Sequence, residues 1–156
     1  MESIQLPSTA TPSPDSKSLV FAWAGDIWTS PIDGGEAEKL THHPAPDDTP
    51  KVSKDGKFVF FNSDRTGSKQ VFRIPIRGGN PEQITFHSEG SYLEDLHPTK
   101  PAILVRGYRD HGGRRPYRLI EKAIDPNKDE EVLFDANARY GRYSPDGKKL
   151  LIIREG

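Results

Sequence analysis

The chain has no cysteine. That removes disulfides and thiolate metal sites, and it leaves the compartment open. No apolar run approaches the ~18 residues of a membrane-spanning helix. Charge of one sign is not in excess either: 22 Lys and Arg stand against 23 Asp and Glu, for a net charge of −1 at pH 7. A chain so balanced has no broad attraction to nucleic acid or to anionic lipid. Met1–Leu6 (MESIQL) carries neither a basic segment nor an apolar core, so no export signature is visible. The expected location is the cytoplasm, or the periplasm if an upstream signal has been removed. Catalytic motifs are missing as well: no G-x-S-x-G elbow, no H-E-x-x-H and no phosphate-binding glycine loop.

What the chain has in quantity is turn chemistry, with 14 glycines and 14 prolines in 156 residues. These fit many short strands and argue against a helical bundle. The stretch from Thr49 to Thr85 shows the organisation. Strand-like segments rich in valine, phenylalanine and isoleucine alternate with turns at KDG (Lys54–Gly56), DRTG (Asp64–Gly67) and RGGN (Arg77–Asn80).

That stretch is one copy of a repeat. SPDS (Ser13–Ser16), SKDG (Ser53–Gly56), HPTK (His97–Lys100) and SPDG (Ser144–Gly147) fall at steps of 40, 44 and 47 residues (53 − 13, 97 − 53, 144 − 97). Each is followed by an apolar run: SLVFAW, FVFF, AILV or LLII. DIWTSPIDGGEAEKLT (Asp26–Thr41) aligns with QVFRIPIRGGNPEQIT (Gln70–Thr85). A period of roughly 40–50 residues holding four strands is that of a propeller blade. The fold expected is therefore all-β, a β-propeller of four-stranded antiparallel blades. About three and a half blades lie in this chain, and the ring is completed by further chain or by oligomerisation. The segments are 1–12 (lead and closing strand), 13–52, 53–96 and 97–143 (three blades with their connections) and 144–156 (the start of a fourth), all one propeller domain.

Candidate functional residues are few. Trp23 and Trp28 flank a turn and are expected to pack between blades. His42–Asp48 (HHPAPDD) invites a metal reading, but Pro44 and Pro46 make it an extended connector whose imidazoles diverge. Asp47 and Asp48 are expected to accept backbone hydrogen bonds in a turn. Asp64 and Arg65 read as a turn aspartate beside a solvated arginine. RLIEKAI (Arg118–Ile124) fits either helix or strand, and the repeat register selects strand. The most basic patch is RDHGGRR (Arg109–Arg115). Its Arg109, Arg114 and Arg115, with Arg106 and Arg118 nearby, are the candidates for pairing with a peptide or other carboxylate, since a guanidinium holds a carboxylate bidentately. No catalytic residue, cofactor or metal is expected. The partners expected are peptides or a protein, not nucleic acid or membrane, together with further copies of the chain or the remainder of a longer one.

SPDG-K before an apolar strand, then D-I-W or Q-V-F, then a glycine pair and a closing L-T or I-T, resembles the TolB-type WD40-like (Pro-Asp) propeller repeat. LVFAWAGDIWTSPIDGGEAEKLTHHP followed by TPKVSKDGKFVFFNSD is more similar still to the N-terminal propeller of tricorn proteases and their bacterial relatives. The resemblance covers Leu6–Arg154, and the third blade departs from the pattern most. It implies a noncatalytic propeller that precedes a second propeller, a PDZ-like module and a serine protease core, and that gates peptides at a channel. The alternatives are a TolB-like interaction propeller with no protease attached, and a self-assembling scaffold fragment.

Overall fold

In the computed structural model, residues 9–109 and 116–154 are described. They form fourteen strands and no helix. Three four-stranded antiparallel sheets follow one another along the chain, each a meander in sequence order. The first holds β1 (Ala10–Pro12), β2 (Ser18–Trp23), β3 (Asp26–Pro31) and β4 (Glu38–Lys39). The second holds β5 (Asp47–Val52), β6 (Phe58–Ser63), β7 (Gln70–Pro75) and β8 (Glu82–Gln83). The third holds β9 (Tyr92–Leu96), β10 (Ala102–Gly107), β11 (Arg118–Ala123) and β12 (Glu130–Phe134). A hairpin of β13 (Ala138–Tyr143) and β14 (Leu150–Arg154) begins a fourth. These are propeller blades, three complete and one of two strands. RLIEKAI is indeed a strand, β11. The lead Ile4–Leu6 lies outside the described residues.

The turn between the first two strands of a blade explains the spacing of the repeat. Ser13, Ser53 and Ser144 each donate their hydroxyl to the aspartate two residues on, at 2.6 Å in all three copies. The same oxygens accept the amides of Ser18, Phe58 and Lys149, five residues on, at 2.9, 3.0 and 2.9 Å. Each aspartate then accepts the amide of Lys17, Lys57 or Lys148. The fourth turn position needs a left-handed backbone. Gly56 and Gly147 supply it at φ 70° and 71°, and Ser16 adopts it at φ 56°. The third blade reaches the same turn by other chemistry. There His97 replaces serine, and its Nδ1 accepts the amides of Thr99 and Lys100 at 3.2 and 3.0 Å.

The fourth strands of the first two blades are short: β4 and β8 hold two residues each. The cause is a bulge: Leu40 and Thr41 both donate to the Ile27 carbonyl, and Ile84 and Thr85 both donate to that of Val71. Trp23 and Trp28 do not enter the core. They meet edge to face, 5.4 Å apart, and Trp23 is 43% exposed. Val20, Ala22 and Ile27 point to the opposite side of the sheet and take the buried places.

The chain divides into two compact units, Met1–Gly67 with Phe72–Gln83, and Ser68–Val71 with Ile84–Gly156. In the first, Val20, Ala22, Ile27 and Leu40 share one buried cluster with Val59, Phe61, Phe72 and Ile74. Burying each large member fully contributes about 1.5–3 kcal/mol. In the second, Leu104, Leu119 and Ala138 are buried with Leu133, Phe134, Tyr143, Leu150 and Ile152 against them. The hairpin is also tied to the third sheet by polar contacts. Tyr143 donates its hydroxyl to Glu121 at 2.8 Å, and its amide to Asp95 at 2.9 Å. Burial and the Glu121 carboxylate push the Tyr143 hydroxyl well above the ordinary tyrosine range.

Two outcomes are expected from this arrangement. A Cβ on Gly141 would lie 2.7 Å from Leu119 Cδ1 and 2.8 Å from Leu104 Cδ2. Gly141→Ala should therefore lower stability by about 1–3 kcal/mol through overpacking, measured by chemical denaturation. The carboxyls of Asp15, Asp55 and Asp146 are held below their ordinary value of 3.8, first by the serine hydroxyls and next by the lysine amides. A carboxyl whose folded value is depressed stabilises above its unfolded value and loses that contribution as pH falls through the folded one. Denaturation midpoints should thus fall between pH 6 and pH 3, and the triple Asp→Asn variant should show a smaller fall.

Candidate functional site

In each blade, the hairpin between the second and third strands lies at the same sheet end as the connection to the next blade. At this end the second and third blades carry an arginine at equivalent positions, Arg65 and Arg109, two residues past β6 and β10. Arg65 is not solvated. Its side chain is 12% exposed and that of Asp47 is 0%. Arg65 Nη2 donates to both Asp47 oxygens at 2.9 and 2.8 Å, and its Nε donates to Ser63 Oγ at 3.0 Å. The guanidinium sits 4.9 Å from the Phe72 ring centroid and 5.4 Å from that of Phe61. Asp47 is therefore a strand residue of β5 in a buried ion pair, not a turn acceptor, because the connector straightens one residue past Pro46. Asp48 likewise lies in β5 and accepts the Thr49 hydroxyl at 2.9 Å. His43 accepts the Ala45 amide through Nδ1.

Arg109 repeats the pattern with different partners. Its Nε and Nη2 reach the two oxygens of Glu130 at 2.9 and 3.3 Å. Nη2 also donates to Ser91 Oγ, and Nη1 to the carbonyls of Gly90 and Tyr108. Ser91 occupies the place that Asp47 holds one blade earlier. Arg118 donates to Asp135 and to the Arg109 carbonyl. Arg114 and Arg115 lie outside the described residues.

A second polar device recurs at this end. The residue opening the third strand is tied to the one just past the fourth. Val71 donates its amide to Thr85 Oγ1, and that hydroxyl donates to Gln70 Oε1 at 2.7 Å. In the first blade Ile27 donates to Thr41 Oγ1 at 2.9 Å. There Asp26 takes the glutamine's place, with Oδ2 on Lys39 at 2.6 Å and Oδ1 buried without a hydrogen bond.

The third sheet and its hairpin form a concave feature at their own corresponding end. A cleft of 430 Å³ is lined by Arg106, Tyr108, Tyr117, Asn137, Ala138, Arg139 and Tyr140. Tyr108 and Tyr117 stack with ring centroids 4.0 Å apart, and Tyr92 meets Tyr117 edge to face at 6.1 Å. The Arg106 guanidinium lies 4.3 Å from the Tyr117 centroid and 5.1 Å from that of Tyr92. Its Nε donates to the buried Glu94 at 2.9 Å. A hydrogen bond with Tyr117 raises the Tyr108 hydroxyl above its ordinary value of 10.0. The result is an aromatic shelf with hydroxyls and a guanidinium at its border. It suits a flat or apolar group accompanied by a carbonyl or carboxylate. Arg106 stands out in the sequence as part of the basic patch, whereas the tyrosines do not. The signal is in the sequence: all five, at 92, 108, 117, 140 and 143, fall in the last two-fifths or so of the chain.

Residues 9–156 match the tricorn protease N-terminal beta propeller domain. The chain belongs to that family. The protein Atu1656 of Agrobacterium fabrum is 31% identical over 155 residues, covering 91% of this chain and 53% of that protein. Among solved structures, a TolB-type protein from Agrobacterium tumefaciens superposes with a TM-score of 0.78 at 27% identity, covering 98% of this chain and 61% of that one. The tricorn protease superposes with a TM-score of 0.72 at 13% identity, covering 95% of this chain and 20% of that one, which shows the shared fold. The chain thus spans little more than half the length of the first two relatives.

Within this tricorn-type propeller, the Asp47–Arg65 pair makes a direct prediction. Asp47→Ala should lower stability by roughly 3 kcal/mol or more, because it leaves a largely buried guanidinium against two phenylalanines without its carboxylate. Asp47→Ala with Arg65→Leu should recover most of that loss, read from denaturation midpoints.

Proposed function

We propose that the chain is a noncatalytic, peptide-binding segment of a propeller, with the tyrosine shelf of the third blade as its recognition surface. The single observation that supports this most is the cleft bordered by Tyr108, Tyr117 and Arg106. Aromatic and guanidinium groups around one hollow make up the composition of protein recognition sites rather than of reaction centres. Arg114 and Arg115, carried between Tyr108 and Tyr117 in sequence, are assigned the pairing with a peptide carboxylate. Arg109 takes a supporting role, since its donors already meet Glu130, Ser91 and two carbonyls.

Two settings suit such a segment. In a tricorn-like protease it gates peptides on their way to a protease core elsewhere in the protein. In a TolB-like protein it binds a partner's peptide segment with no protease attached. Both settings occur among the similar proteins: a TolB-type protein and the tricorn protease each share the fold.

An immobilised oligopeptide library is expected to yield binders to this chain. Tyr108→Ala should weaken them ~10-fold, and Arg114→Ala with Arg115→Ala should remove the preference for a free carboxylate and reduce the salt dependence. A library without binders, or binding indifferent to these substitutions, would refute the assignment.

A further inference from the structure

The chain has three Asp–Gly steps, Asp33–Gly34, Asp55–Gly56 and Asp146–Gly147. This dipeptide is open to a reaction of the chain with itself, because glycine has no side chain to screen its own amide nitrogen. The nitrogen attacks Cγ of the preceding residue's neutral carboxyl. A C–N bond forms, the carboxyl hydroxyl leaves with the amide hydrogen as water, and a five-membered succinimide results. Water then adds back. Breaking the Cγ–N bond restores aspartate. Breaking the bond from nitrogen to the backbone carbonyl carbon gives isoaspartate, with the chain running through Cβ. Apart from water, no further reactant enters.

All three aspartates are exposed, so accessibility does not separate them. Their bonding does. Asp55 Oδ1 accepts the Ser53 hydroxyl at 2.6 Å and the Lys57 amide at 3.0 Å, while the Gly56 amide, the nucleophile, is given to the Ser53 carbonyl at 2.8 Å. Asp146 repeats this with the Ser144 hydroxyl at 2.6 Å, the Lys148 amide at 3.1 Å and the Gly147 amide on the Ser144 carbonyl at 2.8 Å. First the serine hydroxyl and next the lysine amide favour the carboxylate over the neutral carboxyl that the reaction needs. Asp33 lies in the β3–β4 hairpin, outside any serine turn. Its carboxylate has no hydrogen bond or ion pair among the described residues. The Gly34 amide reaches the Pro31 carbonyl at a longer 3.2 Å. In the matching hairpin of the second blade Arg77, Gly79 and Asn80 are exposed too, so exposure goes with this hairpin and not with its place along the chain.

We propose that Asp33 is the isoaspartate-forming position of this chain, and that the serine turn, besides fixing register, shields Asp55 and Asp146 from the same reaction. The product puts an extra carbon into the main chain of the β3–β4 hairpin and leaves a free carboxylate on Cα. That carboxylate is the group a carboxyl methyltransferase directed at isoaspartate would take as substrate. The inference is independent of the peptide-binding reading.

The folded chain is incubated near neutral pH in heavy-oxygen water, which marks each ring that has opened. It is then digested and mapped by mass spectrometry, with fragmentation that tells isoaspartate from aspartate. The same chain unfolded in urea gives the unprotected rate of each step. Asp33 should isomerise in the folded chain at close to its unfolded rate, whereas Asp55 and Asp146 should be slowed at least ~10-fold, the scale set by two hydrogen bonds. Ser53→Ala should speed Asp55 several-fold and leave Asp146 slow, since each turn guards only its own aspartate. Asp33→Glu should remove the main product, because its ring would need a sixth member. The folded-to-unfolded comparison decides the matter without any variant. Isoaspartate spread evenly over the three steps, its absence at Asp33, or a folded Ser53→Ala chain in which Asp55 stays slow would overturn the proposal.

Discussion

A serine hydroxyl at the first turn of every blade but the third sets the geometry on which the rest depends. It accepts the amide five residues on and donates to the carboxylate two residues on, and that carboxylate holds a further amide. The first two strands of the blade are thereby fixed in register. In a strand a slip of one residue would turn every side chain to the wrong side. With the register set, Val59 and Phe61 point to one side while Phe58 and Phe60 point to the other, and the packing of the cluster with Val20 and Ile27 follows. The turn is exposed and each of its bonds is modest, on the order of 1 kcal/mol. Its effect on structure is large because it selects between alternating faces.

The third blade shows that the constraint is geometric rather than chemical. His97 has no hydroxyl, yet its Nδ1 takes two amides of the turn and its own amide bonds to the Ala102 carbonyl. The equivalence of Arg65 and Arg109 carries the same lesson at the opposite end. Each guanidinium reaches the start of its blade's first strand, finding a carboxylate at Asp47 in one case and a hydroxyl at Ser91 in the other. Where Ser91 offers no charge, Glu130 of the outer strand supplies it. The position holds a cation in both blades, and the countercharge comes from whichever strand of that blade provides it.

This explains what could be read from the sequence. The Ser-x-Asp turns, the glycine pairs and the strand order were legible, because the bonds that make them run between residues two to five apart. The buried Asp47–Arg65 pair was not, although both residues stood out. Its partners lie 18 residues apart, on elements whose facing depends on a register that composition does not reveal. Trp23 and Trp28 stand out by size, but their face of the first blade, the one on which Phe61 and Phe72 are buried in the second, is left half-exposed. Arg109 and Arg118 were picked out as cations, but their carboxylates at Glu130 and Asp135 were visible only once the fourth strand was laid beside the third. The shelf required three strand ends, at Tyr92, Tyr108 and Tyr117, to converge.

The departure of the third blade from the repeat bears on function. In the first two blades the equivalents of Tyr108 and Tyr117 are small or polar turn residues: Asp64 matches Tyr108, and Lys69 matches Tyr117. Nothing in the register demands rings at these places, since the second blade closes the same hairpin without them. Two stacked tyrosines with an arginine against one of them bring little to the buried cluster of that unit, which is built from Leu104, Leu119 and Ala138. They leave instead a cleft open beside the hairpin. A repeat holds its scaffold by keeping the turns that fix register and can vary the hairpin ends without disturbing it. The blade whose hairpin ends differ most from the repeat, with its strand order intact, is the one that carries the proposed recognition surface.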